Sequence, residues 1–310
     1  KRERIVFHRD SKRHQRAYHE QNCIGKIDRK ARLMIEKGFL IYANNTWKED
    51  YLKQAYALAL SIKLYNSDAH ITVVTNTEAD PKYSRVIDNI IVKQTKPNSL
   101  LNVEERVNAF DVSPYLKTIV MDADVLVTEN LNNWWKYLKN YMIYYASSVR
   151  TYRDKISDSK AYRKTFVQND LPNLYNTFSY FEKSEEAALF FRMQRLVIEN
   201  WQTFYKKYAP KKQQKWCSMD VSSAITSKLL CNQEQITSKD SFINVVHLKP
   251  KQQGWNFRYQ KASTAVTLNF SDKNFYIGNF KQNGIIHYVE KNFLSDYLIT
   301  QLEEANATVS

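Results

Sequence analysis

The stretch TIVMDADVLVTENL, residues Thr118–Leu131, sets two aspartates between two apolar runs. β-branched and apolar residues lead into Asp122-Ala123-Asp124, and Val125-Leu126-Val127 follows at once. The run KTIVMDADVLV, residues 117–127, therefore predicts a buried strand that carries both carboxylates. A buried carboxylate is strongly destabilising unless a cation or hydrogen-bond donors face it. Some group in the folded protein must therefore compensate Asp122 and Asp124.

The residues before this stretch alternate between predicted strands and helices. Strands are predicted at Gly38–Asn45, at His70–Asn76 and in the short run NIIVKQ that begins at Asn89. A helix broken near Pro114 is predicted over residues 102–116. Between the first two strands, apolar residues recur with helical spacing at Leu52, Ala55, Tyr56, Ala59 and Ile62. This alternation predicts an α/β fold with a mostly parallel central sheet flanked by helices.

The second half of the chain has a more mixed pattern. One long amphipathic helix is predicted over residues 184–208, with an apolar side formed by Leu189, Met193, Leu196, Val197, Trp201, Phe204 and Tyr208. Another helix is predicted at residues 218–230, and FINVVHL and GIIHYV predict short strands. Because no repeat or linker is visible, we expect residues 38–310 to form one domain, preceded by a basic N-terminal arm or helix at residues 1–37.

The chain of 310 residues carries a net charge of +14, which is distributed unevenly. Residues 1–37 contain 12 Lys and Arg against 5 Asp and Glu, about half of the surplus. Two further basic clusters consist of Lys206, Lys207, Lys211, Lys212 and Lys215, and of Arg150, Arg153, Lys155, Lys160, Arg163 and Lys164. These clusters favour an anionic partner such as DNA, an anionic membrane surface or an acidic polymer. An ordinary basic surface without a partner is the alternative.

Other bulk features restrict the class of protein. Cys23, Cys217 and Cys231 are scattered without a CxxC motif, which indicates a reducing compartment and argues against a structural zinc site. No apolar run reaches the roughly 18 residues of a membrane span, and we find no signal-peptide pattern. We therefore expect a cytoplasmic location, which for a viral protein is the host cytoplasm.

The two aspartates are suited to binding a divalent cation. In open α/β sheets, ligands bind beyond the carboxyl ends of the strands, where Asp122 and Asp124 are predicted to lie. Mg²⁺ and Mn²⁺ prefer carboxylate oxygens and keep coordination positions open for phosphate. A metal held there can neutralise a diphosphate leaving group. A DxD triplet alone is common, and its carboxylates can also simply cap a helix.

A longer match makes the metal interpretation more specific. The segment ERVNAFDVSPYLKTIVMDADVLV resembles, without a gap, the segment around the DxD motif of glycosyltransferase family 8, the glycogenin and lipopolysaccharide galactosyltransferase type. Its basic position, Arg106 here, implies a contact to the sugar nucleotide. The segments LIYANNTWKEDYLKQAYALALSIKLYN and ITVVTN resemble the family's opening strand, helix and strand. The resemblance implies that the nucleotide pocket includes Tyr42, Ala43, Asn44, Thr75 and Asn76.

Later segments resemble the same family with departures. Asn176 matches the donor-sugar contact, although Thr177-Phe178 replaces the usual Ser-Gly. Asp220 matches the Asp of an Asp-Gln pair whose Gln is Val221 here. In GIIHYVEK, His287 matches the third metal ligand, and Lys291 stands in for a phosphate-contacting lysine. His247, in VVHLKPKQQGW, competes with His287 for the ligand role.

The resemblance implies a GT-A fold and a retaining, metal-dependent transfer from a UDP-sugar, with UDP-glucose as the favoured donor. Residues 38–131 then form the nucleotide-sugar half, and residues 132–310 form the acceptor half. Asp122, Asp124 and His287 are expected to hold Mn²⁺ or Mg²⁺, while Asp220 and Asn176 act at the reacting sugar. Asp220 could position or deprotonate the acceptor hydroxyl, or simply stabilise a helix N-terminus.

The acceptor stays open at this point. The charge and the expected location favour DNA that carries a hydroxymethylated pyrimidine, as modified by phage DNA glucosyltransferases, which requires base flipping. Surface polysaccharide or lipopolysaccharide synthesis at an anionic membrane is the second hypothesis. A two-metal nuclease needs more clustered carboxylates than the sequence offers. A non-catalytic DNA-binding protein on a transferase fold is the remaining alternative. The oligomeric state is not predicted.

Overall fold

The computed structural model describes residues 34–93, 103–157, 162–238, 241–255 and 265–308. Most of the predicted basic arm at residues 1–37 therefore lies outside the described residues. A six-stranded sheet forms the centre, in the order β3-β2-β1-β4-β7-β6. Its strands are β1 (Ile35–Ala43), β2 (Ile71–Thr75), β3 (Asn89–Val92), β4 (Tyr115–Asp122), β6 (Ile143–Ala146) and β7 (Tyr175–Glu182). The first four run parallel, and β7 is antiparallel to both β4 and β6. This arrangement confirms the predicted α/β fold.

Alternate residues of β1 supply the cores on the two faces of this sheet. Phe39 and Ile41 belong to one buried cluster, and Leu40 and Tyr42 belong to the other. A strand that is apolar on both sides is typical of a sheet covered by helices on both faces. The first face is covered by α1 (Tyr51–Tyr65), and the second by α6 (Glu185–Glu199) and α8 (Met219–Leu230).

The remaining described helices are shorter, with one exception at the C-terminus. They are α2 (Val103–Arg106), α3 (Ala109–Val112), α4 (Asn132–Leu138), α5 (Lys164–Gln168), α7 (Trp201–Tyr208), α9 (Gln233–Ile236), α10 (Pro250–Gln253) and α11 (Asp296–Ala307). Single 3₁₀ turns occur at Pro81–Arg85 and Lys291–Phe293. A three-stranded antiparallel sheet consists of β9 (Leu268–Ser271), β10 (Asn274–Ile277) and β11 (Phe280–Lys281). Within the described ranges, no helix has the length and apolarity needed to cross a membrane.

The predicted continuous strand over residues 117–127 is wrong in one respect. Strand β4 ends at Asp122, and β5 (Val125–Val127) starts a separate three-stranded sheet in the order β5-β12-β8. Its partners are β12 (Ile285–His287) and β8 (Val245–His247). The backbone N–H of Tyr288 donates to the Asp124 carbonyl at 3.1 Å and fixes the transition between the two sheets. Both flanking runs are buried in either arrangement, so apolarity alone could not reveal the break.

The predicted long helix over residues 184–208 is also divided. Helix α6 ends at Glu199 and α7 begins at Trp201, because Asn200 leaves the helical conformation with φ −120° and ψ 30°. The predicted apolar side is partly wrong as well. Leu189 and Leu196 are exposed, whereas the buried positions of α6 are Ala187, Phe190, Phe191, Gln194, Val197 and Ile198. The face that packs on the second core is therefore rotated from the predicted one.

Candidate active site

A cavity of about 620 Å³ lies at the carboxyl ends of β1 and β4. This is the edge of a parallel sheet at which α/β proteins bind ligands. Its walls come from the ends of β1 and β4, from α2, from residues 162–166, from the start of β7, from residues 214–220 and from β8 and β12. The lining is rich in groups that can donate or accept hydrogen bonds, so the cavity suits a polar and charged ligand.

Three side chains of the types that bind metal ions converge in this cavity. Ligand atoms of Asp122, Asp124 and His287 all lie within 4.8 Å of one another. His287 Nε2 is 3.3 Å from the Asp124 Oδ2 atom, and both residues are buried. Asp122 reaches the group from the end of β4, Asp124 from the turn after it, and His287 from the end of β12. The break between β4 and β5 is thus what brings the three together.

Two cationic side chains compensate the carboxylates of Asp122 and Asp124. The guanidinium of Arg106 donates to Asp122, and the ammonium of Lys291 donates to Asp124. Burial by itself raises the pKa of Asp124, but the adjacent His287 and Lys291 lower that pKa below its usual range. The Asp124 carboxylate is therefore ionised at neutral pH and able to bind a cation. Neither carboxylate is therefore left without a cationic partner.

The donor set fits a divalent cation of the Mg²⁺ or Mn²⁺ type. Two carboxylates and one imidazole supply two hard oxygen ligands and one nitrogen ligand, and three protein ligands leave further positions open. The same cluster contains no cysteine, which makes a soft-metal site implausible on chemical grounds. Asp122, Asp124 and His287 are thus the residues that could hold the ion.

His287 is supported from behind by two further groups. Its Nδ1 lies 2.9 Å from the Thr177 hydroxyl and 2.7 Å from Nδ1 of His247. His247 is the other candidate ligand from the sequence, but it belongs to this supporting layer and not to the converging trio. Burial lowers the pKa of His247 far below its usual value, and the neighbouring His287, Lys249 and Arg163 lower it further. His247 is therefore a neutral imidazole.

A second polar cluster surrounds Asp220, on the first turn of α8. Its carboxylate accepts hydrogen bonds from the Arg163 guanidinium and from both the backbone and side-chain nitrogens of Asn176, the latter pair at 3.0 and 3.2 Å. Burial raises the pKa of Asp220, but Arg163 and Asn176 lower it to a net value below the usual range. Arg163 itself lies between the rings of Phe166 and Tyr175, at 3.7 and 4.1 Å from their centroids.

The end of β1 contributes a third polar group of the cavity wall. The Asn44 side-chain nitrogen donates to Glu105 at 3.2 Å. The Asn44 side-chain oxygen and the Tyr42 hydroxyl are buried and have no hydrogen-bond partner among the described groups. Burial raises the pKa of Tyr42, so its hydroxyl stays protonated and available as a donor. Buried polar atoms without partners at a cavity wall are suited to a ligand.

The structure brings most of the sequence-predicted residues to this cavity. Its lining includes Tyr42, Asn44, Arg106, Asp122, Asp124, Asn176, Asp220 and His287. Four predicted residues are not part of the lining, namely Ala43, Thr75, Asn76 and Lys291. Lys291 still contacts Asp124, and Thr75 donates to the Ala43 carbonyl at 2.8 Å. Asn76 accepts from the Asn45 backbone at 2.8 Å and so supports the loop after β1.

Sequence reasoning missed the partners of these residues. In the sequence, Arg163 is recognisable only as one charge in a basic cluster. No local pattern links it to Asp220, which is 57 residues away. Glu105 and Thr177 stand next to residues of the resemblance, at Arg106 and Asn176, which was the one available signal for them. Their contacts depend on long-range packing that adjacency in sequence does not specify.

Comparison with known proteins bears on the fold. No protein-family model matches the chain, and no curated protein sequence matches it. The solved structure of the bifunctional glycosyltransferase WbbM in its apo form superposes with a TM-score of 0.50 at 13% identity, over 88% of this chain and 50% of WbbM. This chain thus spans about half of WbbM. The galactosyltransferase LgtC, solved with donor and acceptor sugar analogues, superposes with a TM-score of 0.50 at 11% identity, over 87% of this chain and 95% of LgtC. These likenesses confirm the predicted GT-A glycosyltransferase fold.

Proposed function

We propose that this protein is a metal-dependent glycosyltransferase that moves a hexose from a UDP-sugar to a hydroxyl acceptor. The favoured donor is UDP-glucose. The observation that carries the proposal is the convergence of Asp122, Asp124 and His287 within 4.8 Å at the sheet edge, with Arg106 and Lys291 alongside. A divalent cation on the trio, together with the positive charges of Arg106 and Lys291, would match the negative charge of a nucleoside diphosphate. The GT-A fold agrees with the proposal and does not by itself establish it.

The cavity offers a group for each part of the donor. Tyr42 and Asn44, with their unpartnered buried polar atoms, suit the base and ribose, while Ala43, Thr75 and Asn76 shape the wall behind them. Arg106 and Lys291 suit the diphosphate, because a guanidinium and an ammonium both donate strongly to phosphate oxygens. When bound, Mn²⁺ or Mg²⁺ held by the trio supplies positive charge that stabilises the leaving diphosphate.

In the transfer step, the acceptor oxygen forms a bond to the anomeric carbon. The bond from that carbon to the diphosphate oxygen breaks, and its electron pair leaves with UDP. Arg106 and Lys291 stabilise the charge that develops there. The proton of the acceptor hydroxyl passes to a phosphate oxygen of the leaving UDP, which favours retention of configuration because attack and departure then share one face.

Asp220 and Asn176 are proposed to position the transferred sugar. The Asp220 carboxylate accepts from Arg163 and Asn176, and its pKa is lowered, so it is a poor proton acceptor. We therefore assign it the orientation of sugar hydroxyls and not the role of general base. Asn176, held by Asp220 and by the Ser223 hydroxyl at 3.1 Å, has a fixed side chain for the same purpose.

We further propose that the acceptor is DNA containing a 5-hydroxymethylpyrimidine. Lys164, Lys249 and the half-exposed Trp216 line the cavity outside the metal trio. Within the described ranges neither lysine has a carboxylate partner, and the Lys249 ammonium lies 5.1 Å from the Tyr162 ring centroid. Unpaired cations suit a phosphate backbone, and an exposed indole suits a base that has left the stack. The net charge of +14 agrees with a polyanionic partner.

The test is sugar transfer from a mixture of UDP-sugars with Mn²⁺ to duplex DNA that contains 5-hydroxymethylcytosine or 5-hydroxymethyluracil. Mass spectrometry of the released nucleosides is the readout. We expect a gain of one hexose mass, lost in the double variant Asp122→Asn/Asp124→Asn and kept in the control Asp68→Asn on the exposed surface.

The negative outcomes separate the two levels of the proposal. UDP-sugar hydrolysis without transfer, lost in the double variant, would retain the transferase and exclude DNA, and lipopolysaccharide or another glycan would then be the acceptor. Absence of both hydrolysis and transfer with every UDP-sugar would contradict the transferase itself and favour a non-catalytic DNA-binding protein.

A further inference from the structure

His247 stands directly behind the candidate metal ligand His287. Strands β8 and β12 are parallel, and their register sets His247 opposite His287. The two Nδ1 atoms are 2.7 Å apart, and the ring centroids are 4.4 Å apart. Both residues are buried, at 3% and 8% exposure, so water does not compete for this contact. The sequence offers His247 only as a rival metal ligand, and the geometry gives it a different place.

The short contact between the two rings restricts where their protons lie. Two ring nitrogens form a hydrogen bond only if one carries the proton and the other offers its lone pair. His287 Nε2 faces Asp124 Oδ2 at 3.3 Å and belongs to the converging trio. An imidazole binds a cation through an unprotonated nitrogen, so a metal-binding His287 carries its proton on Nδ1. His247 Nδ1, at 2.7 Å, then faces that proton as an acceptor, and the Thr177 hydroxyl oxygen at 2.9 Å shares it.

The proton of His247 is consequently on its other ring nitrogen. His247 Nε2 is buried and has no partner among the described groups, and the residue lines the cavity. A buried N–H at a cavity wall that finds no acceptor in the protein is suited to an oxygen of a bound substrate. The same side chain thereby faces the metal ligand with one nitrogen and the cavity with the other.

We propose that His247 is a positioning residue that fixes His287 in its metal-binding tautomer and donates its own Nε2–H to an oxygen of the bound UDP-sugar. The inference rests on the proposed function only in taking Asp122, Asp124 and His287 as the metal ligands. Partners of this kind behind a metal-bound histidine set ring orientation and basicity, and their loss typically lowers metal affinity 10–100-fold.

Three substitutions of His247 distinguish the roles of its two ring nitrogens. His247→Asn keeps an acceptor near the Nδ1 position and removes the Nε2 donor. His247→Gln keeps a donor near the Nε2 position and removes the Nδ1 acceptor, and His247→Leu removes both. The first readout is the dissociation constant for Mn²⁺ alone, from the electron paramagnetic resonance signal of free Mn²⁺. The second is the dissociation constant of UDP-glucose at saturating Mn²⁺.

We expect His247→Gln and His247→Leu to bind Mn²⁺ about 10-fold more weakly or worse, and His247→Asn to stay within about 3-fold of the original protein. We expect His247→Asn to weaken UDP-glucose binding by roughly 10-fold, the usual effect of losing one hydrogen bond from a substrate. Nitrogen-15 spectra of the imidazoles with Mg²⁺ should show His287 protonated at Nδ1. Thermal unfolding confirms that each variant is folded.

Equal Mn²⁺ affinity in all three variants, with binding abolished by Asp124→Asn, would overturn the inference and leave the metal site intact. Equal weakening in all three, His247→Asn included, would also overturn it, because the acceptor nitrogen would then not matter. Retention of Mn²⁺ binding by Asp124→Asn would instead contradict the metal site and with it the proposed function.

Discussion

Asp122 ends a strand of the central sheet and His287 ends a strand of the second sheet, yet their ligand atoms lie within 4.8 Å of each other. The chain achieves this because β4 and β5 are separated by only Ala123 and Asp124 and enter different sheets. Strand β12 pairs antiparallel with β5, in a register that sets His287 opposite Val125. A metal site at this junction takes ligands from both sheets, so metal binding would require the two sheets to be packed as they are here.

Removing one carboxylate should abolish stabilisation by metal. A ligand that binds only the folded protein stabilises it by about 2.7 kcal/mol at 100 times its dissociation constant. We expect Mn²⁺ to raise the melting temperature of the original protein and excess chelator to reverse the rise, while Asp124→Asn shows neither effect. Differential scanning calorimetry gives the measurement. An equal rise in Asp124→Asn would locate Mn²⁺ binding elsewhere.

Replacing Lys291 by Met should weaken diphosphate binding selectively. The ammonium donates to Asp124 in the structure and is positioned beside the trio, where a diphosphate would lie. A charge-assisted hydrogen bond contributes about 1.5–3 kcal/mol, so we expect UDP to bind roughly 10–100-fold more weakly. Uridine, which lacks phosphate, should bind equally to both proteins. Isothermal titration with the two ligands tests the prediction, and a parallel loss of uridine binding would indicate structural damage instead.

The Arg163–Asp220 ion pair should make stability depend on pH. Arg163 is 7% exposed, and its loss leaves the Asp220 carboxylate without its main partner. We expect Arg163→Met to lower the free energy of unfolding by about 2–3 kcal/mol at pH 7. The pKa of Asp220 is lowered in the folded protein, so its contribution is present above the unfolded pKa of about 3.9 and declines as the pH falls through the folded value.

The measurement is the free energy of unfolding in urea at about pH 7, 5 and 3.5, a range that covers this decline. The difference between the original protein and Arg163→Met should be similar at pH 7 and 5 and smaller at pH 3.5. The double variant Arg163→Met/Asp220→Asn should be closer to the original protein than Arg163→Met is, because no unpaired charge remains. A difference that is constant across all three values would mean that the packing of Arg163 between Phe166 and Tyr175, and not the ion pair, dominates.

The sequence predicts the elements of this site better than their partners. The β1, β2 and β4 strands and the α1 helix follow from apolar periodicity, and the position of Asp122 at a strand end follows from them. The junction after Asp122 does not, because runs buried in either sheet look alike. The division at Asn200 was missed because both halves have helical spacing and only the local conformation of Asn200 separates them.

Contacts between residues that are far apart in the sequence are likewise not predictable from local patterns. His247 and His287 are 40 residues apart, and their contact requires the parallel register of β8 with β12. Both strands are three residues long, and a register shift of one residue would turn either histidine to the opposite face. Local patterns therefore identified two candidate ligands, and only the register distinguishes the one in the trio from the one behind it.

Neutralising the cavity-lining residues Lys164 and Lys249 should reduce the salt dependence of DNA binding. Lys164 and Lys249 line the cavity and have no carboxylate partner in the described ranges, so each is available to a phosphate. Each phosphate contact contributes about 0.9 to the slope of log affinity against log salt. We expect Lys164→Ala and Lys249→Ala each to reduce that slope by about one, and the double variant by about two. Fluorescence anisotropy with duplex DNA between about 50 and 300 mM salt, over which the Debye length falls from about 14 to about 6 Å, gives the slopes.

Matched controls keep this test specific to the two cavity-lining lysines. Lys136→Ala and Lys139→Ala lie on and just after α4, outside the cavity lining, and should leave the slope unchanged. Hydrolysis of UDP-glucose should be the same in all five variants, because no substituted lysine contacts Asp122, Asp124 or His287. Equal slopes in every variant would place the DNA contacts elsewhere on the basic surface. Unchanged DNA binding with unchanged hydrolysis would retain the transferase and exclude Lys164 and Lys249 as part of the acceptor site.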